Sequence, residues 1–219
     1  MSGARTVRAG ALLALLAGAL LLFALVPASA SAAWKDVQAS VVDPLGTGVV
    51  PLLNVKVANH AVNDASTVTT VQFSDDGQSW YAAPYTGQPC DWVLAGESGH
   101  KDLLVRFGSA DGDVSPVVTA SITVDTIGPV TVARAARRAG GGRTALCFSI
   151  TDPGSGSVDA TVVVKGSGQT RRYTLGRVGT GPGTALVKLP EGTYTWRVDA
   201  TDLAGRAQVR QTNGKLVVR

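Results

Sequence analysis

Leu189-Pro190-Glu191-Gly192-Thr193-Tyr194-Thr195-Trp196-Arg197-Val198-Asp199-Ala200-Thr201-Asp202-Leu203-Ala204-Gly205 is the stretch that decides the fold. Tyr194, Trp196, Val198 and Ala200 alternate strictly with Thr195, Arg197 and Asp199. Successive side chains of a strand point to opposite faces, so a period of two marks a strand with one face buried and one wet. Pro190 and Glu191-Gly192 stop the chain before it, and Asp202 to Gly205 turns it afterwards. The dominant period is two, not the 3.6 of a helix.

The same period extends in both directions. In the second half, Val130 to Ala133, Leu146-Phe148-Ile150, Val158 to Val164, Tyr173 with Leu175, Ala185-Val187-Leu189 and Leu216 to Val218 read as strands. In the first half the strands are Val37 to Val41, Leu53-Val55-Val57, Val71-Phe73, Trp80-Tyr81, Trp92-Leu94, Leu103-Val105-Phe107 and Ala120-Ile122-Val124. Asp76-Gly77, Asp111-Gly112, Glu191-Gly192 and Asn213-Gly214 sit between them, and such pairs accept the positive φ of tight hairpins. Val132 to Arg138 has helix-forming composition, but it is short and runs into Gly140-Gly141-Gly142, so it reads as a strand end followed by a loop. Short strands at this spacing predict an all-β chain of antiparallel sandwiches rather than a βαβ fold.

The N-terminus has a different character. Arg5 and Arg8 precede an apolar run from Ala9 to Val26; Pro27 breaks it, and Ala28-Ser29-Ala30-Ser31-Ala32 follows. A basic head, an apolar middle and an A-x-A tail predict a secretory signal peptide over 1–32, cleaved after Ala30 or Ala32. An uncleaved anchor is the competing reading, since the run is close to the shortest length that spans a bilayer. Cleavage leaves no membrane span and places the protein outside the cell or in its envelope. Asp125-Thr126-Ile127-Gly128-Pro129 ends one strand and bends the chain, which predicts domains over 33–127 and 128–219.

Charge divides at the same point. From Ala33 to Ile127 there are four basic and eleven acidic side chains, net −7. From Gly128 to Arg219 there are fourteen and five, net +9. Opposite halves fit domains that dock on each other, a basic half facing an anionic partner, or two ordinary soluble surfaces.

Val71-Gln72-Phe73-Ser74-Asp75-Asp76-Gly77-Gln78-Ser79-Trp80 resembles the S-x-DG-x-x-W hairpin of bacterial immunoglobulin-like repeats. Trp92-Val93-Leu94, Leu103 to Phe107, Asp111-Gly112-Asp113-Val114-Ser115 and Asp125 to Pro129 follow in the order those repeats show. Leu189 to Gly205 is similar to a related sandwich repeat. Asp113 stands where the first repeat usually has Asn, and Arg206 stands in the same role in the second; both are turn positions. The resemblance covers most of the chain beyond the signal peptide. It implies two consecutive antiparallel immunoglobulin-like, or fibronectin-III-like, β-sandwich domains of a secreted or cell-surface protein, and it leaves function open. It also implies core positions for Trp80 and Trp92.

Motifs for catalysis are missing from the sequence. His60 and His100 stand in polar contexts, with no H-E-x-x-H, no G-x-S-x-G and no C-x-x-C. A Cys90–His100 nucleophile pair would need an activating environment, and a small hydrolase would need a cleft of clustered polar groups. No cofactor is expected. Calcium is the best metal candidate, on loop residues Asp75, Asp76, Asp111 and Asp113, with Asp125 and Asp202 adding ligands near the linker. The competing reading is that Asp-Gly pairs simply build turns, because no complete D-x-D-x-D-G loop is present. Cys90 and Cys147 fit either one bridge between the halves or two free thiols.

Binding residues are expected in the basic half. Arg134, Arg137, Arg138 and Arg143 surround the glycine loop, and Arg171, Arg172 and Arg177 flank Tyr173. Guanidinium forks match phosphate and carboxylate. Cell-wall polymer or another extracellular protein is therefore the expected partner, and nucleic acid is not. The alternative is a carbohydrate-binding accessory module. With Trp80 and Trp92 assigned to the core, it would have only Tyr81 and Tyr85 as a platform.

Overall fold

A computed structural model describes residues 33–219, and the signal-peptide reading of 1–32 lies outside these residues. The first half contains β1 (Trp34–Val41), β2 (Val49–Val50), β3 (Asn54–Asn63), β4 (Val68–Ser74), β5 (Tyr81–Pro84), β6 (Cys90–Val93), β7 (Gly99–Ser109) and β8 (Val118–Val124). A three-stranded sheet, β1-β3-β6, faces a five-stranded sheet, β2-β8-β7-β4-β5. The second half contains β9 (Val130–Ala139), β10 (Arg143–Thr151), β11 (Ser157–Gly166), β12 (Gln169–Gly179), β13 (Gly181–Val187), β14 (Gly192–Asp202), β15 (Arg210–Gln211) and β16 (Gly214–Val218). Its sheets are β13-β10-β9-β15 and β12-β11-β14-β16. All long pairings are antiparallel; only the two-residue strands β2 and β15 pair in parallel, with β8 and β9.

Alternation becomes two cores. Val57, Val71, Phe73, Leu103, Val105 and Phe107 fill the first. Leu146, Ile150, Val158, Val162, Trp196 and Val198 fill the second. A fully buried side chain of this kind contributes roughly 1.5–3 kcal/mol of transfer free energy, which makes the inward faces of the central strands the main source of stability.

The halves meet at the end of β8. Arg206 donates its Nε to the Asp125 carbonyl oxygen at 3.1 Å and an Nη to the Pro51 carbonyl oxygen. Thr47 Oγ1 donates to the Leu203 carbonyl at 2.8 Å. Gly128 is required here, because a Cβ would stand 2.4 Å from the Ala207 carbonyl oxygen.

Two readings change, one strand was not expected, and one alternative left open is resolved. Val132 to Arg138 is not a strand end and loop: β9 continues to Ala139, with a bulge opposite Leu146–Phe148, and ends in a hairpin. Gly141 and Gly142 form its tip with φ of 69° and 67°, a conformation that suits residues without a Cβ. Cross-strand pairing with β10 overrides helix-forming composition. Trp80 is not in the core; it is half-buried outside it, with the Arg106 guanidinium 3.9 Å from its ring centroid. Val49–Val50 forms an unexpected edge strand. Of the two cysteine alternatives, the structure holds the free thiols: Cys90 and Cys147 lie unpaired in different sandwiches.

Candidate functional site

The seven arginines of interest fall on two sheets. Arg134, Arg137 and Arg138 lie on β9 and Arg143 opens β10, whereas Arg171, Arg172 and Arg177 lie on β12, an edge strand of the facing sheet. On β12 the guanidinium groups are engaged: Arg172 with Asp199 at 3.6 Å, Arg177 with Asp159 at 3.4 Å, Arg171 with Gln169 at 3.2 Å. On the other sheet, Arg138 donates to the Arg219 carbonyl and Arg134 to Ser149 Oγ at 3.1 Å. Arg137 pairs across from Ala145 and Arg143 across from Ala139. Cys147, flanked by the inward Leu146 and Phe148, belongs to the same outer face and meets Thr184 Oγ1 at 3.8 Å. The strands β13, β10, β9 and β15 carry Arg134, Arg137, Arg138, Arg143 and Arg210 and no carboxylate at all.

The turn acids of the first domain are separated. Asp76 and Asp75 follow β4 at the end where Ser74 pairs with Leu104; Asp111 and Asp113 follow β7 at the end where Ser109 pairs with Val68. Six residues of extended strand separate the two turns, roughly 20 Å, so no single ion reaches both. Asp76 Oδ1 accepts the backbone N–H groups of Gln78 and Ser79, each at 2.8 Å, and the Ser74 hydroxyl at 3.0 Å. Those bonds, led by Ser79, hold its pKa down to about 2. The Ser109 hydroxyl donates to Asp111 and lowers its pKa. These carboxylates already act as turn caps.

Three other carboxylates do converge. Asp125, at the end of β8, meets Asp152 and Asp202 of the second domain, and one oxygen from each lies within 4.8 Å of the other two. Asp125 is 0% and Asp202 4% exposed. Asp125 accepts the Ser155 hydroxyl at 2.7 Å and the Ile127 N–H at 3.1 Å. Asp152 Oδ1 accepts the N–H groups of Gly154 and Ser155, and Asp202 Oδ1 accepts the N–H of Arg206 at 2.7 Å. Asp152 Oδ2 and Asp202 Oδ2 are buried and have no hydrogen-bond partner. Burial, then the nearby acids, push the pKa of Asp152 and Asp202 up. Among the described residues these are the three that a metal ion could join. Asp125 and Asp202 were legible as loop acids near the linker. Asp152 was missed, and its one signal was an Asp-Pro-Gly turn directly after a strand.

An aromatic cleft of about 590 Å³ lies on the first domain, lined by Asn54, Asp75, Tyr81, Asp91, Trp92 and Val93. Tyr81 is 63% exposed, its ring 5.8 Å from that of Trp92. Trp92 backs onto Phe73 at 5.1 Å, so it is at once core edge and cleft wall. Tyr85 turns inward instead: it meets Phe107 edge-on at 5.5 Å and its hydroxyl receives the Ala61 N–H. Cys90 Sγ contacts Asn59 and the Gln88 carbonyl, whereas His100 sits 3.2 Å from Asp102. Among the described residues no helix is long and apolar enough to cross a membrane.

No family model matches the chain, and no curated protein matches it. Solved structures do. Fibronectin(III)-like modules of Clostridium thermocellum CbhA align at 16% identity over 83% of this chain and 94% of that one, TM-score 0.47. A 1.5-MDa bacterial ice-binding adhesin aligns at 11% identity over 83% of this chain and 63% of that one, TM-score 0.48. A tetra-tandem repeat from the extending region of a large adhesion protein aligns at 17% identity over 84% and 51%, TM-score 0.40. At these values the likenesses do not bear on ligand or partner, and the assignment of two tandem β-sandwiches rests on the chain's own strand pairing.

Proposed function

We propose that the chain is a non-enzymatic binding or structural module, exported to the cell envelope, that attaches to anionic wall polymer through the outer face of the sheet β13-β10-β9-β15. One observation carries the reading: the four strands of that sheet hold five arginines and no acid. Arg134, Arg137 and Arg143 share the outer face of a sheet whose strands carry no carboxylate, and such guanidinium groups attract a polyanion and grip its phosphates or carboxylates with paired N–H donors. The acidic first domain would then project away from the polymer. Export follows from the N-terminal pattern of charge, apolar run and small residues.

Co-sedimentation with purified cell-wall material across a salt series tests this. Binding at low salt that weakens steeply as the Debye length shrinks is the expected result. Joint replacement Arg137→Ser and Arg143→Ser should release the protein, while Arg171→Ser with Arg172→Ser should change little. Absence of binding at low salt sinks the polymer reading.

The aromatic cleft favours a second reading, a carbohydrate site on the first domain. An exposed Tyr81 beside Trp92, with Asn54, Asp75 and Asp91 on the rim, offers stacking faces and hydroxyl acceptors together. Soluble wall oligosaccharides should then shift tryptophan fluorescence, and Tyr81→Ala should remove the shift. An unchanged spectrum at millimolar sugar removes this reading.

A further inference from the structure

We infer that Asp125, Asp152 and Asp202 form a calcium site at the junction of the two sandwiches, which fastens the end of β8 to the loops after β10 and β14. The site is independent of the polymer-binding face.

Three observations carry it. First, the donor set is all oxygen and comes from both domains, with one oxygen of each carboxylate within 4.8 Å of the others. Oxygens on opposite sides of Ca²⁺ lie about 5 Å apart, given ligand distances of 2.3–2.6 Å. Mg²⁺ draws its ligands closer and retains most of its waters. Second, Asp125 and Asp202 are buried at 0% and 4% exposure and Asp152 is half-buried, and no Lys, Arg or His among the described residues forms an ion pair with any of the three. Buried carboxylates without a counter-charge are costly. Third, Asp202 Oδ2 and Asp152 Oδ2 are buried without any partner.

A single proton does not satisfy the cluster. One proton shared by Asp125 and Asp152 would satisfy that pair and leave Asp202 Oδ2 without a partner; a second proton on Asp202 would be needed to relieve it. One cation satisfies all three. The second oxygens are already fixed by backbone: Asp152 Oδ1 by Gly154 and Ser155, Asp202 Oδ1 by Arg206. The loops are therefore preformed, with one oxygen of each carboxylate within 4.8 Å of the other two. Gly154 completes the fit, since a Cβ there would stand 2.2 Å from the Asp125 carboxylate carbon. Waters and carbonyl oxygens would supply the remaining ligands of a six- to eight-coordinate ion.

The test uses the purified protein, stripped with EDTA and titrated with calcium chloride by isothermal calorimetry, with scanning calorimetry in parallel. Binding of one ion is expected, with a rise of roughly 5 °C in the unfolding temperature at saturation. Asp202→Asn and Asp125→Asn should each weaken binding at least tenfold. In EDTA, Asp202→Asn should unfold no lower than the parent, because it removes like-charge repulsion and keeps the acceptor for Arg206. Asp76→Asn, a turn acid, should bind as the parent does. If Asp202→Asn does not fold, Asp152→Asn carries the same test. Absence of calcium heat with an unmoved unfolding temperature overturns the site, and so does equal affinity in Asp202→Asn and Asp125→Asn.

Discussion

In the first domain β1, β3 and β6 face β5, β4, β7 and β8; in the second β9, β10 and β13 face β12, β11, β14 and β16. The wiring is the same: first, second and fifth long strands on one side, third, fourth, sixth and seventh on the other. The contents differ. The first core rests on Phe73, Phe107 and Leu103, the second on Trp196, Phe148 and Leu146. The net charges are −7 and +9. The architecture therefore needs only apolar residues at alternate positions and turn formers between them. Which apolar residue fills a position, and which charge faces outward, are free to serve other ends. In the acidic domain the charge is largely spent on turns: Asp43 receives Leu45 and Gly48, and Asp76 receives Gln78 and Ser79. In the basic domain it stands on strands β9 and β12, where backbone geometry does not ask for it. Charge on turns explains itself structurally, and charge on β12 is met by Asp159 and Asp199, whereas the arginines of β9 have no carboxylate side chain paired with them among the described residues.

Trp196→Ala would break the comparison most severely. Trp196 is 1% exposed, and Gly214 is kept bare because a Cβ would stand 2.3 Å from the indole nitrogen. Truncation should cost about 3–5 kcal/mol, since a cavity of that size refills only in part. Scanning calorimetry should show the second domain unfolding earlier while the first keeps its transition. A single transition that moves as a whole would mean that the sandwiches do not fold as separate units.

Arg206→Ala acts on the joint instead. Its guanidinium reaches the carbonyls of Asp125 and Pro51 in the first domain. Charged hydrogen bonds of this kind are worth about 1.5–3 kcal/mol. The loss should appear as a wider separation of the two transitions, with both cores intact by near-ultraviolet circular dichroism. Unchanged transitions would show that the bonds do not couple the domains. Trp80→Ala should be milder, because Trp80 is half-buried outside the core and the Arg106 guanidinium over its ring is a cation–π contact of about 0.5–1 kcal/mol. That gap between two tryptophans of one chain separates core from surface more directly than hydropathy does.

Strand positions were legible because period two is written residue by residue. The alternation of Tyr194, Trp196, Val198 and Ala200 maps directly onto β14. The β9 hairpin was half-legible: its glycines were visible as a break, but Ala-Arg composition carries no period, and only pairing with β10 extends the strand to Ala139. Trp80 and Tyr85 exchanged the roles expected of them, since a residue at a strand end can turn to either side. The acid centre was the least legible feature. Asp152 stands 27 residues beyond Asp125 and 50 before Asp202, and no local pattern reports which loops a sandwich brings to one end. The same limit hid the division of the arginines between two sheets.

The smallest effect tests the claim that the acids of the first domain are structural. Asp76 has its pKa depressed to about 2 by backbone N–H donors from Ser79 and Gln78, with the Ser74 hydroxyl adding to them. In the unfolded chain the same group titrates near 3.9. A carboxylate with a depressed folded pKa stabilises the fold above the unfolded value, and that contribution fades as pH falls through the folded one. Asp76→Ala should therefore lower the unfolding temperature of the first domain modestly at neutral pH. The difference from the parent should shrink between pH 4 and pH 2, while the second domain's transition is the same in both proteins at each pH. Because Asp76 is solvated, the effect stays below that of Trp80→Ala. A difference that persists undiminished at pH 2 would assign the role of Asp76 to its shape in the turn rather than to its charge, and would weaken the contrast between turn acids and sheet arginines on which the reading of the basic face depends.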